Sequence, residues 1–99
     1  MSNARAQVPR PPRLYLVTDR AATGGRPLVA VVEQGLAGIA GSGLDPAEVA
    51  VQLREKDLDG RALTELARAL RAATAAVGAR LYVNDRIDVA LAVGADGAH

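Results

Sequence analysis

Short apolar runs separated by stretches of helical period constrain this chain more than any other feature. Leu14-Tyr15-Leu16-Val17 is too short for a helix and is closed by Thr18-Asp19-Arg20, the mark of a buried strand. Gly24-Gly25 breaks the chain, and Pro27 stands where a first helical residue would. Leu28, Val31, Val32, Leu36 and Ile39 then recur at helical spacing until Gly41 and Gly43. Asp45-Pro46 marks a turn or a single helical turn, and Val49 to Arg54 reads as a second strand. Asp59 is a candidate N-cap for a helix with the apolar stripe Leu63, Leu66, Ala67, Leu70, Ala73 and Val77, ended by Gly78. Leu81-Tyr82-Val83 is a third strand. Ile87 to Val93 is a short helix with Gly94 as its C-cap, and Ala95 to His99 opens a fourth strand.

The resulting order, β-α-β-α-β-α-β, predicts an α/β fold with a parallel sheet and right-handed crossovers. An open doubly wound sheet and the N-terminal part of a (β/α)8 TIM barrel both fit. In either, ligands sit at the carboxyl ends of the strands. About three and a half βα units do not close a barrel, and they leave two parallel edges unpaired. The chain therefore reads as part of something larger, or as one that pairs with a second copy. Residues 1–12, with Pro9, Pro11 and Pro12 close together, read as a disordered lead-in to a domain over 13–99.

Composition narrows the function classes. With 99 residues there is room for one small domain, whose core must come from Ala, Val and Leu, because Phe, Trp and Cys are absent. Disulfides and cysteine-ligated metal are thereby excluded, and a reducing cytoplasm fits. A net charge of +1 without a basic block points away from nucleic acid and from anionic membranes. No apolar run approaches the ~18 residues of a membrane span, and the start lacks the apolar segment of a signal peptide.

Chemistry gathers at two strand ends. A strand's period of two sets Gln52, Arg54 and Lys56 on one face and Val49, Val51 and Leu53 on the other. Lys56 is the only lysine, against eleven arginines. Arg54 and Lys56 would suit a phosphate or pyrophosphate, with a planar fork and a point charge. Equally, they are solvated charges neutralised by Glu55, Asp57 or Asp59. Gln52 is as readily a hydrogen-bonded interior residue. Asp85 is either the N-cap of the helix that follows or a hard oxygen ligand for Mg²⁺. Asn84 bonds substrate or backbone. Asp19 and Arg20 form a turn or ion pair at the same mouth, or take part in catalysis. Gly24-Gly25 matches no nucleotide loop, and His99, alone at the terminus, supports no histidine-based site.

Four segments taken together resemble the thiamine phosphate synthase family. They are Tyr15-Leu16-Val17-Thr18-Asp19-Arg20, Gln52-Leu53-Arg54-Glu55-Lys56-Asp57, Asn84-Asp85-Arg86-Ile87-Asp88-Val89-Ala90 and Gly94-Ala95-Asp96-Gly97-Ala98-His99. They occur in the family's order and at its spacing, and span residues 13 to 99. The resemblance implies a (β/α)8 barrel that joins a pyrimidine, activated as its methyl diphosphate, to a thiazole phosphate. The products are thiamine phosphate and pyrophosphate. It further implies that Gln52, Leu53, Arg54, Glu55, Lys56 and Asn84 bind the pyrimidine diphosphate. Arg54 and Lys56 would act catalytically on the departing diphosphate, and Asp85 would ligate Mg²⁺.

The family pattern continues past the terminal histidine with a glycine and a second acidic ligand, and its later strands hold the thiazole phosphate. The expectation is that these residues carry the pyrimidine-diphosphate half of a site and are inactive alone. Two rivals remain at this point. One is a thiazole tautomerase, a sister branch on the same barrel that needs neither Mg²⁺ nor a diphosphate clamp. The other is a non-catalytic, self-associating half-barrel that binds a phosphorylated ligand.

Overall fold

A computed structural model describes residues 11–99. The expected lead-in over 1–12 falls almost wholly outside them. Four strands, β1 (Leu14–Val17), β2 (Val49–Leu53), β3 (Arg80–Val83) and β4 (Gly97–Ala98), form one sheet in the order β1-β2-β3-β4. All three pairings are parallel. Helices α1 (Leu28–Ala40), α2 (Gly60–Val77) and α3 (Ile87–Val93) make the crossovers. Single 3₁₀ turns lie at Arg20–Ala22 and Pro46–Glu48.

Strand order decides between the two architectures. A doubly wound sheet reverses direction at a switch point, whereas a barrel wall adds each strand beside the last. Here the order is strictly sequential, α1 packs on α2 and α2 on α3, so the chain forms four staves of a barrel wall.

The helix-facing side of the sheet is aliphatic. Val49, Val51, Leu53, Leu81 and Val83 are fully or almost fully buried against Leu28, Val32 and Leu36 of α1 and Leu63, Ala67 and Leu70 of α2. The period of 3.6 therefore chose the core residues correctly. Asp59 caps α2, its Oδ1 accepting from the Ala62 N–H at 2.8 Å. Gly78 and Gly94 end α2 and α3 in the left-handed conformation. Pro27 sits at the N-cap of α1, one residue earlier than expected.

On the opposite side, register aligns Tyr15 with Ala50, and Gln52 with Tyr82 and Gly97. Tyr82 lies across Gly97: a Cβ added there would meet the ring at 3.0 Å. The exposed large apolar residues lie at the two flanks, Leu14, Tyr15 and Val17 on β1 and Ile87 and Leu91 on α3.

One polar staple fixes the amino-terminal end of the wall. Arg71 of α2 donates to Asp96 at 2.9 Å and to the Ala79 carbonyl at 3.2 Å, while Asp96 Oδ2 also accepts from the Leu81 N–H at 2.8 Å. Asp96→Ala strands both a main-chain donor and a half-buried guanidinium. It is expected to cost about 1–2 kcal/mol in urea unfolding.

Candidate functional site

The carboxyl ends of all four strands meet at one mouth. β2 ends at Leu53, where its pairing with β3 stops, so Arg54, Glu55 and Lys56 belong to the β2–α2 loop. The expectation that Gln52, Arg54 and Lys56 form one line on a strand is corrected accordingly: side-chain alternation lapses where the ladder ends. Thr18, almost fully buried just past β1, takes over as anchor, its Oγ1 accepting from the Arg54 N–H at 2.9 Å.

Beneath the loop lies a cleft of about 180 Å³ whose lining includes Leu53, Glu55, Lys56, Asn84 and Asp85. Five of the seven predicted site residues thus come together there. Gln52 and Arg54 lie outside it: Gln52 is half-buried in β2 and Arg54 is exposed at the mouth. Leu53 buries its side chain in the core, and its carbonyl is taken by the Asn84 N–H at 2.9 Å.

The acidic residues expected to neutralise Arg54 and Lys56 are committed elsewhere. Glu55 accepts from Arg20 Nε at 2.9 Å with its side chain only 6% exposed, and Asp57 pairs with the same guanidinium. Asp59 is spent on the cap of α2. Arg20 in turn draws Asp57 below the usual carboxylate range, chiefly through their hydrogen bond. Among the described residues, neither Arg54 nor Lys56 makes an ion pair. Lys56 in the cleft and Arg54 just outside it are thus exposed cations whose neighbouring acids are held elsewhere.

Asp85 has φ of +60°, uncommon outside glycine though tolerated by aspartate. The capping expectation for it is corrected as well. The N-cap of α3 is Arg86, which makes no capping bond, and Asp85 stands one residue before it. What fixes Asp85 is β4: its N–H donates to the His99 carbonyl at 2.6 Å, while the His99 N–H donates to the Val83 carbonyl at 3.0 Å. Among the described residues, the Asp85 carboxylate receives only the Asn84 amide, at 3.2 Å. Arg86 is held off by Asp88, whose pKa its fork lowers to about 2.

Among the described residues, no three acid, histidine or cysteine side chains converge as a metal cage.

Sequence reasoning missed two residues. Thr18 was readable only as the end of a strand, since its bond to Arg54 depends on register. His99 was set aside as a terminal residue, yet its carbonyl orients Asp85. Its ring also stands edge-on to Tyr82 at 4.9 Å and to Tyr15 at 6.1 Å. The Gly-Ala-Asp-Gly run before it, read as a fourth strand beside β3, was the available signal.

Comparisons with known proteins agree with this geometry. A family model described as thiamine monophosphate synthase matches residues 14–99. The chain is 58% identical over 86 residues to a putative thiamine-phosphate synthase of Geobacter sulfurreducens, covering 87% of this chain and 37% of that protein. It is 52% identical over 88 residues to a thiamine-phosphate synthase of Solidesulfovibrio magneticus, covering 89% and 38%. In three dimensions it resembles a thiamine phosphate pyrophosphorylase from Pyrococcus furiosus, with a TM-score of 0.69 and 36% identity over 86% of this chain and 37% of that one. The chain thus spans rather more than a third of the length of these relatives. No described helix is long and apolar enough to cross a membrane.

Proposed function

The chain belongs to the thiamine monophosphate synthase family, and from that premise we propose that it carries the pyrimidine-diphosphate half of a thiamine phosphate synthase site. The reaction joins 4-amino-2-methyl-5-(diphosphooxymethyl)pyrimidine to a thiazole phosphate, a transferase step in cytoplasmic thiamine biosynthesis. The observation that carries this reading is the pair of cations without acidic partners among the described residues, Lys56 in the strand-end cleft with Asn84 and Asp85, and Arg54 exposed just outside it.

The proposed chemistry asks little of the side chains as acids or nucleophiles. The bond from the pyrimidinylmethyl carbon to the diphosphate oxygen breaks, and its electron pair leaves with the diphosphate. The thiazole nitrogen then supplies the pair for the new C–N bond. Negative charge therefore grows on the leaving group, and Arg54 and Lys56 stand where they would meet it. Fixed charges of this kind are often the largest single contribution to catalysis. Bound Mg²⁺ would add charge neutralisation at the same phosphates. Gln52, half-buried beside Tyr82 on the inner face, is proposed to orient the pyrimidine, with Asn84 on the diphosphate. Glu55 enters this reading through its loop position and its bond to Arg20, and Leu53 through packing.

Calorimetric titration of the chain with inorganic pyrophosphate, with and without Mg²⁺, tests the reading. Saturable binding that Mg²⁺ tightens is expected; its absence would overturn the assignment. Asp85→Asn should keep the left-handed backbone, which asparagine tolerates, while removing the charge. The Mg²⁺-dependent gain in affinity is then expected to vanish with the circular dichroism spectrum unchanged. A retained gain would place the metal elsewhere.

A further inference from the structure

Resting on the anion reading above, we propose that Arg20 is a positioning residue for that site: it draws Glu55 and Asp57 onto itself and so leaves Arg54 and Lys56 free for a diphosphate. The loop Arg54-Glu55-Lys56-Asp57 alternates in charge and sums to zero. Left to itself, each cation has an acid as its chain neighbour, at higher effective concentration than any ligand in solution. A loop of this composition should therefore quench itself.

Arg20 prevents this from a different strand end. It begins the 3₁₀ turn after β1, where Asp19 Oδ1 accepts from the Ala21 N–H at 3.0 Å and shapes the turn. From there its Nε donates to Glu55 Oε1 at 2.9 Å, its main-chain N–H reaches the same oxygen at 3.4 Å, and its Nη2 donates to Asp57. One planar fork thus holds two carboxylates, a task suited to guanidinium geometry.

Burial makes the arrangement consequential. The Glu55 side chain is 6% exposed, and its Oε2 is buried without a hydrogen-bond partner among the described residues. Its charge is therefore supported from one side only, by Arg20. A buried carboxylate that loses its cation must find another, and the nearest in the chain are Arg54 and Lys56. Removing Arg20 should then lower anion affinity although Arg20 itself does not face the cleft.

The experiment is calorimetric titration with metal-free inorganic pyrophosphate on the 99-residue chain. Arg20→Gln is expected to weaken binding about tenfold or more, since both acids turn to the two cations. The triple variant R20Q/E55Q/D57N is expected to recover wild-type affinity within about threefold, a rescue that a merely structural Arg20 would not show. R20Q binding as tightly as wild type overturns the proposal while leaving the anion site intact. So does a triple variant as weak as R20Q. A wild-type chain that does not bind pyrophosphate overturns the anion reading and this role with it.

Should R20Q not fold, Asp57→Asn gives an independent reading at an exposed position. In D57N the pyrophosphate affinity is expected to stay within about threefold of wild type, because Arg20 already holds Asp57 away from the two cations. A gain of about tenfold or more would mean that Asp57 was paired with them all along, which contradicts the proposal.

Discussion

Arg54→Ala is expected to weaken pyrophosphate binding by about 10- to 100-fold, the loss that accompanies one charge-assisted hydrogen-bonding group. Lys56→Ala should do the same, and the double variant should show no saturable binding. Stability should hardly respond. The Arg54 side chain is exposed and makes no hydrogen bond among the described residues, while its N–H, held by Thr18, survives the substitution. Exposed replacements of this kind usually stay within about 0.5 kcal/mol. Arg54→Lys should recover part of the affinity, because the charge returns without the planar fork. The dependence on salt should flatten in each single variant, exposed charges being the ones that screening reaches. An unchanged affinity in R54A, with the fold intact, would return the pair to ordinary solvated surface charge.

That expectation draws on two levels of information, and only one was legible in the chain. Which residues would be buried followed from period alone. Leu63, Ala67 and Leu70 on α2, and Val51, Leu53, Leu81 and Val83 on the sheet, are where a period of 3.6 or 2 puts them. Capping was likewise local, Asp59 and Gly94 needing only their immediate neighbours. Parallel order was legible too, while the choice of a barrel wall over a doubly wound sheet came from the resemblance of four segments to a known family and not from period. That choice depends on which strands lie side by side, a relation among segments some thirty residues apart.

Five of the seven residues named for the candidate site share its cleft, but their arrangement was not legible, for the same reason. The Gln52-Arg54-Lys56 line assumed a strand that continues, whereas pairing with β3 ends at Leu53 and the chain turns away. Asp85 before a helix reads as a cap or as a metal ligand, and nothing local says that its N–H will donate to the main-chain oxygen of His99 from a left-handed backbone. Above all, the sequence sets Glu55 and Asp57 beside Arg54 and Lys56, so they look like mutual partners. Their actual partner, Arg20, is 35 residues from Glu55, and the link exists only once β1 and β2 are in register. Local rules thus recover the core, while the chemistry of the mouth is created by pairing between distant segments.

The largest effect on stability is expected from Leu81→Ala. Leu81 is fully buried at the centre of the helix-facing side, on the strand that lies between β2 and β4. Without Phe or Trp the core is built of small aliphatic side chains, so no large neighbour is at hand to fill the hole. Main-chain pairing on both sides of β3 and the staple at the Leu81 N–H hold the backbone in place and hinder its collapse. Lost transfer energy and an unfilled cavity together cost about 2–5 kcal/mol at such sites. Whole domains are stable by only ~5–15 kcal/mol, so a loss of this size is a large share of the total. L81A is therefore expected to lose its cooperative urea transition at 25 °C. Leu91→Ala is the matched control: the same side chain leaves α3, but from a position 79% exposed. Its urea midpoint should stay near wild type, within about 0.5 kcal/mol. A loss above about 2 kcal/mol in L91A would show that Leu91 is covered in solution, since removing methyl groups from water costs nothing of that size. The covering surface would then be another molecule, and a midpoint that rises with protein concentration would identify it as a second copy of the chain.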